Sequence, residues 1–559
     1  ERLNATTKQP AETTAKASIA QQTSLKFTLT TTAQLDNAPQ AKAALLRAIA
    51  KWESMIETPI TVLLDVDFGS TLFGGQFPSA NALAVTTVRT QALPYLSLST
   101  QLRDRTEDLQ QRSIYDALPA DSIVTDTGVP LVIQLPTPLA AAAGVLIPGF
   151  NRPHLIGINA NGKFDFDPRD GIEADKLDFE ALVMREIGRT LGFISKVGEL
   201  EFLANANGRF FANQDITIWD LFRFRDEISL STFGTATRAQ LSGGSHVFFA
   251  GGSVLPLSTG RPDGKGGDDR PAAHWKDDQL TGQYLGIMDP TFLPGERADI
   301  TANDLTALDY LGFKILPDAP VSEVISNDDN SAEETLALDG ALVVNRLLPA
   351  RHPFTLQSVR VQLPAAGASP VGQSLRVIAF ADPARSGRPQ ANPTLLVDRT
   401  ITIPALPESR LLEILLPNAP AINAGDLYVG VQTSANVQLA GDTTITQPRS
   451  FISKDNGGSF QMLQTAAQQP VNVILRAVTT AKLSARLSPR ITALSPYRVA
   501  IGSPSQTMNV YGQDFYGIEL NGIRGNSIVR WNGQDRPTEY TNGSLLQAGL
   551  YDTDLVSAG

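Results

Sequence analysis

The chain has 559 residues, enough for roughly three or four domains. A net charge of −11 and a pI near 5.0 argue against nucleic acid or an anionic membrane as its main partner. The absence of cysteine excludes disulfides, thiolate metal sites and a cysteine nucleophile.

The sequence contains no membrane-spanning helix by pattern. The longest apolar run begins at Leu139 between Pro138 and Pro148, far short of the ~18–20 residues that a bilayer requires. The chain opens on Glu1, as a secreted protein does after removal of a signal peptide. We therefore expect a secreted or cell-surface bacterial protein.

The predicted elements of the N-terminal part alternate between strand and helix. Residues 1–24 are rich in Thr, Ala, Gln and Lys and predict a flexible arm. Hydrophobic periodicity then predicts a strand over 26–31, a helix over 38–55, a strand over 60–68 and, much later, a helix over 302–311. We expect an α+β domain over 25–318.

The character of the sequence changes to β beyond an acidic, Ser-rich stretch that predicts a linker over 319–334. Strands are predicted over 354–363, 374–380, 427–433 and 471–478, between turns rich in Pro, Gly and Asn. This spacing favours a β-sandwich or jelly roll over 335–482. Residues 453–460 are similar to an Asp-box hairpin, in which Asp455 and Gly457 set the turn geometry.

The C-terminal segment, 488–559, resembles an immunoglobulin-like IPT/TIG domain. The resemblance rests on Ser488-Pro489-Arg490-Ile491, on Val510-Tyr511-Gly512-Gln513-Asp514-Phe515 and on Val529-Arg530-Trp531-Asn532-Gly533. The sequence stops at Gly559, where such domains continue into a further strand. We expect a partial domain of this class.

Residues 184–195 carry the strongest functional signal in the chain. A zinc protease helix reads His-Glu-x-x-His, with two imidazoles one turn apart and a general base beside them. Here Glu186 and the later Gly192-Phe193 are retained, but Arg185 and Arg189 stand at the two imidazole positions. A guanidinium has no lone pair to offer a metal.

The surrounding sequence resembles a metzincin-type metallopeptidase of the leishmanolysin-like branch. His274-Trp275 is followed fourteen residues after the His by Met288, within Gly286-Ile287-Met288-Asp289-Pro290, and then by the helix of 302–311. By position, the resemblance implies His274 as the third zinc ligand, Met288 as the Met-turn beneath it and Glu186 as the remnant general base. It implies a multidomain chain, an α+β metzincin-like domain followed by two all-β sandwich domains.

Two of the three ligands implied by this resemblance are missing. Ser195 offers no substitute, and His154, His246 and His352 lack ligand spacing, so we interpret them as surface or hydrogen-bonding residues. We expect no metal, no cofactor and no hydrolysis, with Arg185, Arg189, His274 and Met288 as a degenerate metal site.

The orientation of the two arginines is left open by the sequence. Both guanidinium groups point into the former zinc cavity, where Glu186 pairs with them, or both extend to solvent. A third reading attributes them to engineering, because one nucleotide separates some His and Arg codons.

These observations predict a pseudopeptidase that acts as a structural or adhesive scaffold. The alternatives are an active secreted zinc endopeptidase and a peptide-binding module that does not cleave. Ala15, Ala17 and Ile19 alternate with Lys16 and Ser18 at strand period, so the arm is a candidate donor strand for the next subunit of a head-to-tail homopolymer. An arm folded back on its own subunit is the competing reading.

Overall fold

The structure is a computed structural model. It describes residues 22–106, 109–199, 215–225, 228–251, 254–260, 267–365, 369–434, 436–444, 447–487, 490–513, 515, 527–531, 534–542 and 544–556. Strands hold 36% and helices 17% of the residues, so the protein is mostly β-sheet. Separate hydrophobic clusters lie within residues 25–321, 325–477 and 508–555, which makes the chain multidomain. Among the described residues, no helix is both long and apolar enough to cross a membrane.

The N-terminal unit is built on a four-stranded mixed sheet, in the order β1-β2-β6-β3. Its first three strands run parallel and the edge strand β3 runs antiparallel. The strands of this unit are β1 (Lys26–Thr31), β2 (Thr61–Gly69), β3 (Ala84–Thr87), β4 (Thr90–Pro94), β5 (Val132–Pro136), β6 (His154–Asn159), β7 (Phe164–Asp165), β8 (Leu177–Asp178), β9 (Asp215–Thr217), β10 (Arg223–Phe224), β11 (His246–Phe249) and β12 (Val254–Leu257).

Helices cover this sheet and supply much of the core. They are α1 (Ala33–Asp36), α2 (Pro39–Glu53), α3 (Tyr95–Arg105), α4 (Leu109–Asp116), α5 (Thr137–Ala142), α6 (Phe179–Leu191), α7 (Ile218–Leu221), α8 (Leu230–Phe233), α9 (Asp278–Thr281) and α10 (Ala302–Leu311). The apolar stripe of α2 is fully buried against α6, and the indole Nε1 of Trp52 donates to the Met184 carbonyl at 3.0 Å. This contact fixes the helix that carries both arginines.

The second unit is a β-sandwich, and it starts earlier than the sequence predicts. Its strands are β13 (Pro320–Ile325), β14 (Glu334–Leu336), β15 (Leu342–Leu347), β16 (Arg351–Gln362), β17 (Ser374–Asp382), β18 (Val397–Thr402), β19 (Leu411–Leu415), β20 (Ala421–Ile422), β21 (Asp426–Thr433), β22 (Leu439–Asp442), β23 (Ser450–Ser453), β24 (Gln461–Met462), β25 (Asn472–Val473) and β26 (Leu475–Leu487). Two main sheets face each other, in the orders β13-β26-β16-β19 and β18-β17-β21-β15-β23-β24.

The predicted linker over 319–334 is wrong for its first residues. Val321 and Ile325 are buried, and β13 pairs along its whole length with β26. Val321 packs in the N-terminal core while Ile325 packs in the sandwich core, so this strand connects the two units. Acidic and Ser residues interrupt the apolar residues of this segment, so its sequence does not indicate a strand. The strand is stabilised by its pairing with β26.

The C-terminal unit has a four-stranded antiparallel sheet, in the order β27-β28-β32-β31, and a hairpin of β29 and β30. Its elements are β27 (Arg490–Ser495), β28 (Gln506–Gln513), β29 (Arg530–Trp531), β30 (Gln534–Asp535), β31 (Thr538–Asn542), β32 (Leu545–Leu550) and a 3₁₀ helix (Asp552–Leu555). The predicted arm over 1–24 falls mostly outside the described residues. Gln22, which is described, donates from Nε2 to the Ile60 carbonyl at 2.6 Å.

Candidate functional site

The site is built on α6, whose start is fixed by a buried cap. Asp178 precedes the helix, and its Oδ1 accepts a 3.0 Å hydrogen bond from the Ala181 amide, which satisfies one of the helix's free donors. Burial raises the pKa of Asp178 to about 7. At the other end, a Cβ on Gly192 would lie 2.7 Å from Leu311 of α10, so glycine permits close packing there.

Arg185 points inward and is anchored by several contacts. Its side chain is only 12% exposed, and its Nη1 donates to the Pro290 carbonyl at 3.1 Å. The guanidinium carbon lies 4.3 Å from the centroid of the Phe292 ring, a cation–π arrangement. Of the two orientations left open by the sequence, Arg185 therefore takes the inward one.

Glu186 lies close to both arginines and also accepts a hydrogen bond from a strand of the sheet. Its Oε2 accepts a 2.7 Å hydrogen bond from Thr86 Oγ1 on the edge strand β3. Arg185 Nε lies 3.4 Å from Oε1, and Arg189 Nε lies 3.8 Å from Oε2. Glu186 thus joins the helix to the sheet while facing both guanidinium groups.

His274 is buried within the electrostatic reach of both arginines. It is 3% exposed, and its Nδ1 lies 3.1 Å from the Pro271 carbonyl. Burial, together with the positive charges of Arg185 and Arg189, holds the pKa of His274 well below its usual 6.5. The positive charges of α6 thus act on a histidine that lies more than 80 residues later in the sequence.

Met288 is fully buried and packs against α6. A Cβ on Gly188 would lie 2.8 Å from Met288 Sδ, so the glycine lets the thioether approach the helix. The Trp275 amide donates to the Met288 carbonyl at 3.1 Å. This bond ties the segment that follows His274 to the turn that carries Met288.

Asp304, at the start of α10, positions both of these segments. It accepts hydrogen bonds from Trp275 Nε1 at 2.8 Å and from the Ile287 amide at 2.9 Å. It is completely buried, and burial raises its pKa to about 6. The sequence did not indicate that Asp304 holds these two segments, although its place three residues after Thr301 matches a capping box.

The residues present do not fit the zinc ion that the metzincin resemblance implies. Zinc in such sites needs three protein ligands with lone pairs, and His274 is the only imidazole of the group. Arg185 and Arg189 are donors without an acceptor, and their positive charges oppose a divalent cation.

The other candidate residues lie apart from this group. Ser195 Oγ donates to Asp220 Oδ1 at 2.7 Å. His154 Nδ1 accepts from the Arg89 amide at 3.0 Å, His246 Nδ1 lies 3.0 Å from Arg223 Nη1, and His352 Nε2 lies 3.0 Å from the Gly425 carbonyl. All three histidines are buried, so the hydrogen-bonding interpretation holds and the surface interpretation does not.

Three carboxylates beside the site were not singled out from the sequence. Oxygens of Asp277, Asp278 and Asp289 lie within 4.8 Å of one another. Arg270 Nε bonds to Asp277 Oδ2, and Asp289 accepts from the Asp278 and Thr291 amides at 3.0 and 2.9 Å. Burial, then the charge of Asp278, raises the pKa of Asp289. The adjacent Asp277-Asp278 pair after His274 was the available signal.

Comparisons with known proteins place the chain in no family. No protein-family model and no curated protein matches it. Among solved structures, it is similar to the cysteine protease and lectin-like domains of Cwp84, a surface layer associated protein of Clostridium difficile, with 18% identity and a TM-score of 0.24 over 28% of this chain and 36% of that one. A second structure of that protease, after propeptide cleavage, gives 16% identity and a TM-score of 0.23 over 34% and 50%. A structure of infectious bursal disease virus has 11% sequence identity and a TM-score of 0.14, over 46% of this chain and 56% of the viral chain. The chain thus spans about a third to a half of the clostridial chains, and at these TM-scores no common fold is defined.

Proposed function

We propose that this protein is a pseudopeptidase that serves as a structural or adhesive scaffold at the cell surface or in the extracellular medium. The pseudopeptidase part of this proposal rests on two contacts of Arg185, one with the Phe292 ring and one with the Pro290 carbonyl. That anchoring fills the position of an implied zinc ligand with a fixed positive charge. A metal-activated water, which zinc peptidases need near neutral pH, has no place to form.

Arg185 is held by protein groups that do not depend on a metal. Its guanidinium interacts with an aromatic ring, a backbone carbonyl and the Glu186 carboxylate. Glu186 in turn interacts with Thr86 and so loses the freedom that a general base would use. These contacts support a role in stabilising the domain, with the β-rich units that follow available for attachment. The proposed extracellular location rests on the IPT/TIG resemblance of residues 488–559.

A zinc and proteolysis assay tests the proposal. Purified protein is incubated with zinc, desalted and analysed by elemental mass spectrometry, and casein cleavage is followed with and without a chelator. We expect no stoichiometric zinc and no cleavage. Stoichiometric zinc together with chelator-sensitive cleavage would establish the rival function, an active zinc endopeptidase. Fractionation of cells and medium followed by immunoblotting tests the location.

A non-cleaving peptide-binding module is the second candidate function. The observation that favours it is the partial exposure of Arg189, whose side chain is 29% accessible beside the buried Glu186 and His274. An accessible guanidinium in a former substrate cleft is suited to recognising an acidic group.

A further inference from the structure

Arg189 has no hydrogen-bond partner among the residues that the structure describes. Its Nε is buried and unsatisfied, and the Glu186 Oε2 atom, at 3.8 Å, is beyond hydrogen-bond distance. A buried donor without a partner costs free energy, and the Arg189 side chain that carries it is 29% exposed, so a bound group can reach the guanidinium. The arrangement calls for an acceptor that the described part of the chain does not supply.

Glu186 does not neutralise both arginines. Its carboxylate accepts from Thr86 Oγ1 at 2.7 Å and lies nearer to Arg185 than to Arg189. His274 adds no negative charge, because an imidazole is neutral or positive. In this group two guanidinium groups, those of Arg185 and Arg189, thus face the single carboxylate of Glu186.

We propose that Arg189, with Arg185 one turn before it on α6, binds a carboxylate. A planar guanidinium matches a carboxylate with two parallel N–H···O bonds, and partial burial strengthens this pairing relative to water. The carboxylate comes from a peptide C-terminus, from an acidic side chain or from a small free acid. This inference rests on the proposed function, because it requires a cleft without zinc.

The test is a calorimetric titration of the full chain with matched peptides. The probes are acetyl-Ala-Ala-Ala with a free C-terminus, the same peptide as its amide, acetyl-Ala-Asp-Ala-amide, and sodium acetate. We expect the free-acid tripeptide or the Asp peptide to bind at least tenfold more tightly than the neutral amide. The stronger of the two identifies the source, and acetate binding without a peptide preference indicates a small free acid.

Variants assign the effect to Arg189. Arg189→Gln should abolish the preference for the carboxylate, Arg189→Lys should retain part of it, and Arg112→Gln should leave it unchanged. Arg112 is the matched control, because it is 49% exposed in an i,i+4 pair with Asp116 on α4, away from the site. Equal binding of acid and amide by wild-type protein that does not bind acetate, an absence of binding by every probe, or unchanged carboxylate binding in a folded Arg189→Gln variant would each overturn the proposal.

Zinc content measured on the same samples keeps the two ideas apart. Protein that contains zinc would refute the pseudopeptidase function. A carboxylate preference of that protein would then be attributed to the metal, and the role proposed for Arg189 would be refuted as well. Zinc-free protein that binds acid and amide alike would refute carboxylate binding alone.

Discussion

The Arg185 guanidinium lies over the Phe292 ring, 4.3 Å from its centroid. Phe292 lies four residues after Met288, so this contact connects α6 to the loop that follows Met288. A cation–π contact of a largely desolvated arginine contributes on the order of 1–2 kcal/mol. The Arg185 guanidinium therefore contributes to the stability of the folded structure.

Replacing both arginines by histidine should create zinc affinity. Arg185→His with Arg189→His supplies two imidazoles one helical turn apart, and His274 already lies near both positions. We expect stoichiometric zinc binding in a calorimetric titration of the double variant. Adding His274→Ala should remove it. A double variant that binds no zinc would show that His274 is not placed to serve as the third ligand.

A chelator should leave the melting temperature of the wild-type protein unchanged. A metal that binds only the folded state stabilises it by mass action, and the proposed site holds none. Differential scanning fluorimetry with and without EDTA measures this, with the zinc-loaded double-histidine variant as the positive control. A decrease of several degrees for wild type would reveal a structural metal elsewhere, for which Asp277, Asp278 and Asp289 would be the first residues to replace.

Asp178→Asn should stabilise the protein at high pH and not at low pH. Burial raises the pKa of Asp178 to about 7 in the folded state from an ordinary 3.8. Its stability contribution is therefore fully present below about pH 4 and is lost as the pH rises through 7. The uncharged amide avoids this loss, so the variant should exceed wild type by about 2–4 kcal/mol at pH 8.

Denaturant unfolding at pH 4.5 and pH 8 measures that difference. Asp167→Asn provides a control, because Asp167 is exposed and its pKa is lowered, to about 2, by a hydrogen bond from Arg169. A stabilisation by Asp178→Asn that is the same at both pH values would contradict the predicted ionisation.

Glu413→Gln should destabilise the contact between the first two units. Glu413 on β19 is 8% exposed and faces Arg360 Nη2 at 3.4 Å and Arg297 Nη2, from the N-terminal unit, at 3.7 Å. Burial raises the pKa of Glu413, but these arginines lower it more, and the net shift is downward. Removing one partner of a buried pair costs about 3–5 kcal/mol.

The matched control for this change is Asp398→Asn. Asp398 pairs with Arg376 at 2.7 Å and its side chain is 47% exposed, so its loss should cost less than about 1 kcal/mol. Chemical unfolding of both variants measures the difference. Equal effects would mean that the buried network contributes no more than a surface pair.

Deleting residues 1–21 tests the predicted donor strand. The deletion retains Gln22, whose side chain bonds to the Ile60 carbonyl. If the arm of one subunit completes a β-domain of the next, the full chain should form a concentration-dependent series of oligomers and the truncated chain should be monomeric. Light scattering after size-exclusion chromatography measures this. A truncated protein that assembles like the full chain would refute the donor-strand model.

Elements with a local signal were predictable from sequence. The strand over 26–31 and the helix over 302–311 have the predicted bounds, because alternation and a capping threonine are local properties. The helix predicted over 38–55 is shorter, at Pro39–Glu53, since proline begins it at its first turn. The strand β13 was missed because its stability comes from pairing with a partner some 160 residues later.

The sequence by itself determined which chemistry is missing: Arg185 and Arg189 have no lone pair, whatever surrounds them. Only the tertiary structure decided where their charges go. Arg185 faces inward because Phe292 and the Pro290 carbonyl lie within reach, and the Nε of Arg189 lacks a partner because the nearest oxygen of Glu186 is 3.8 Å away. Such partners come from distant segments whose proximity depends on packing, and no local pattern records it.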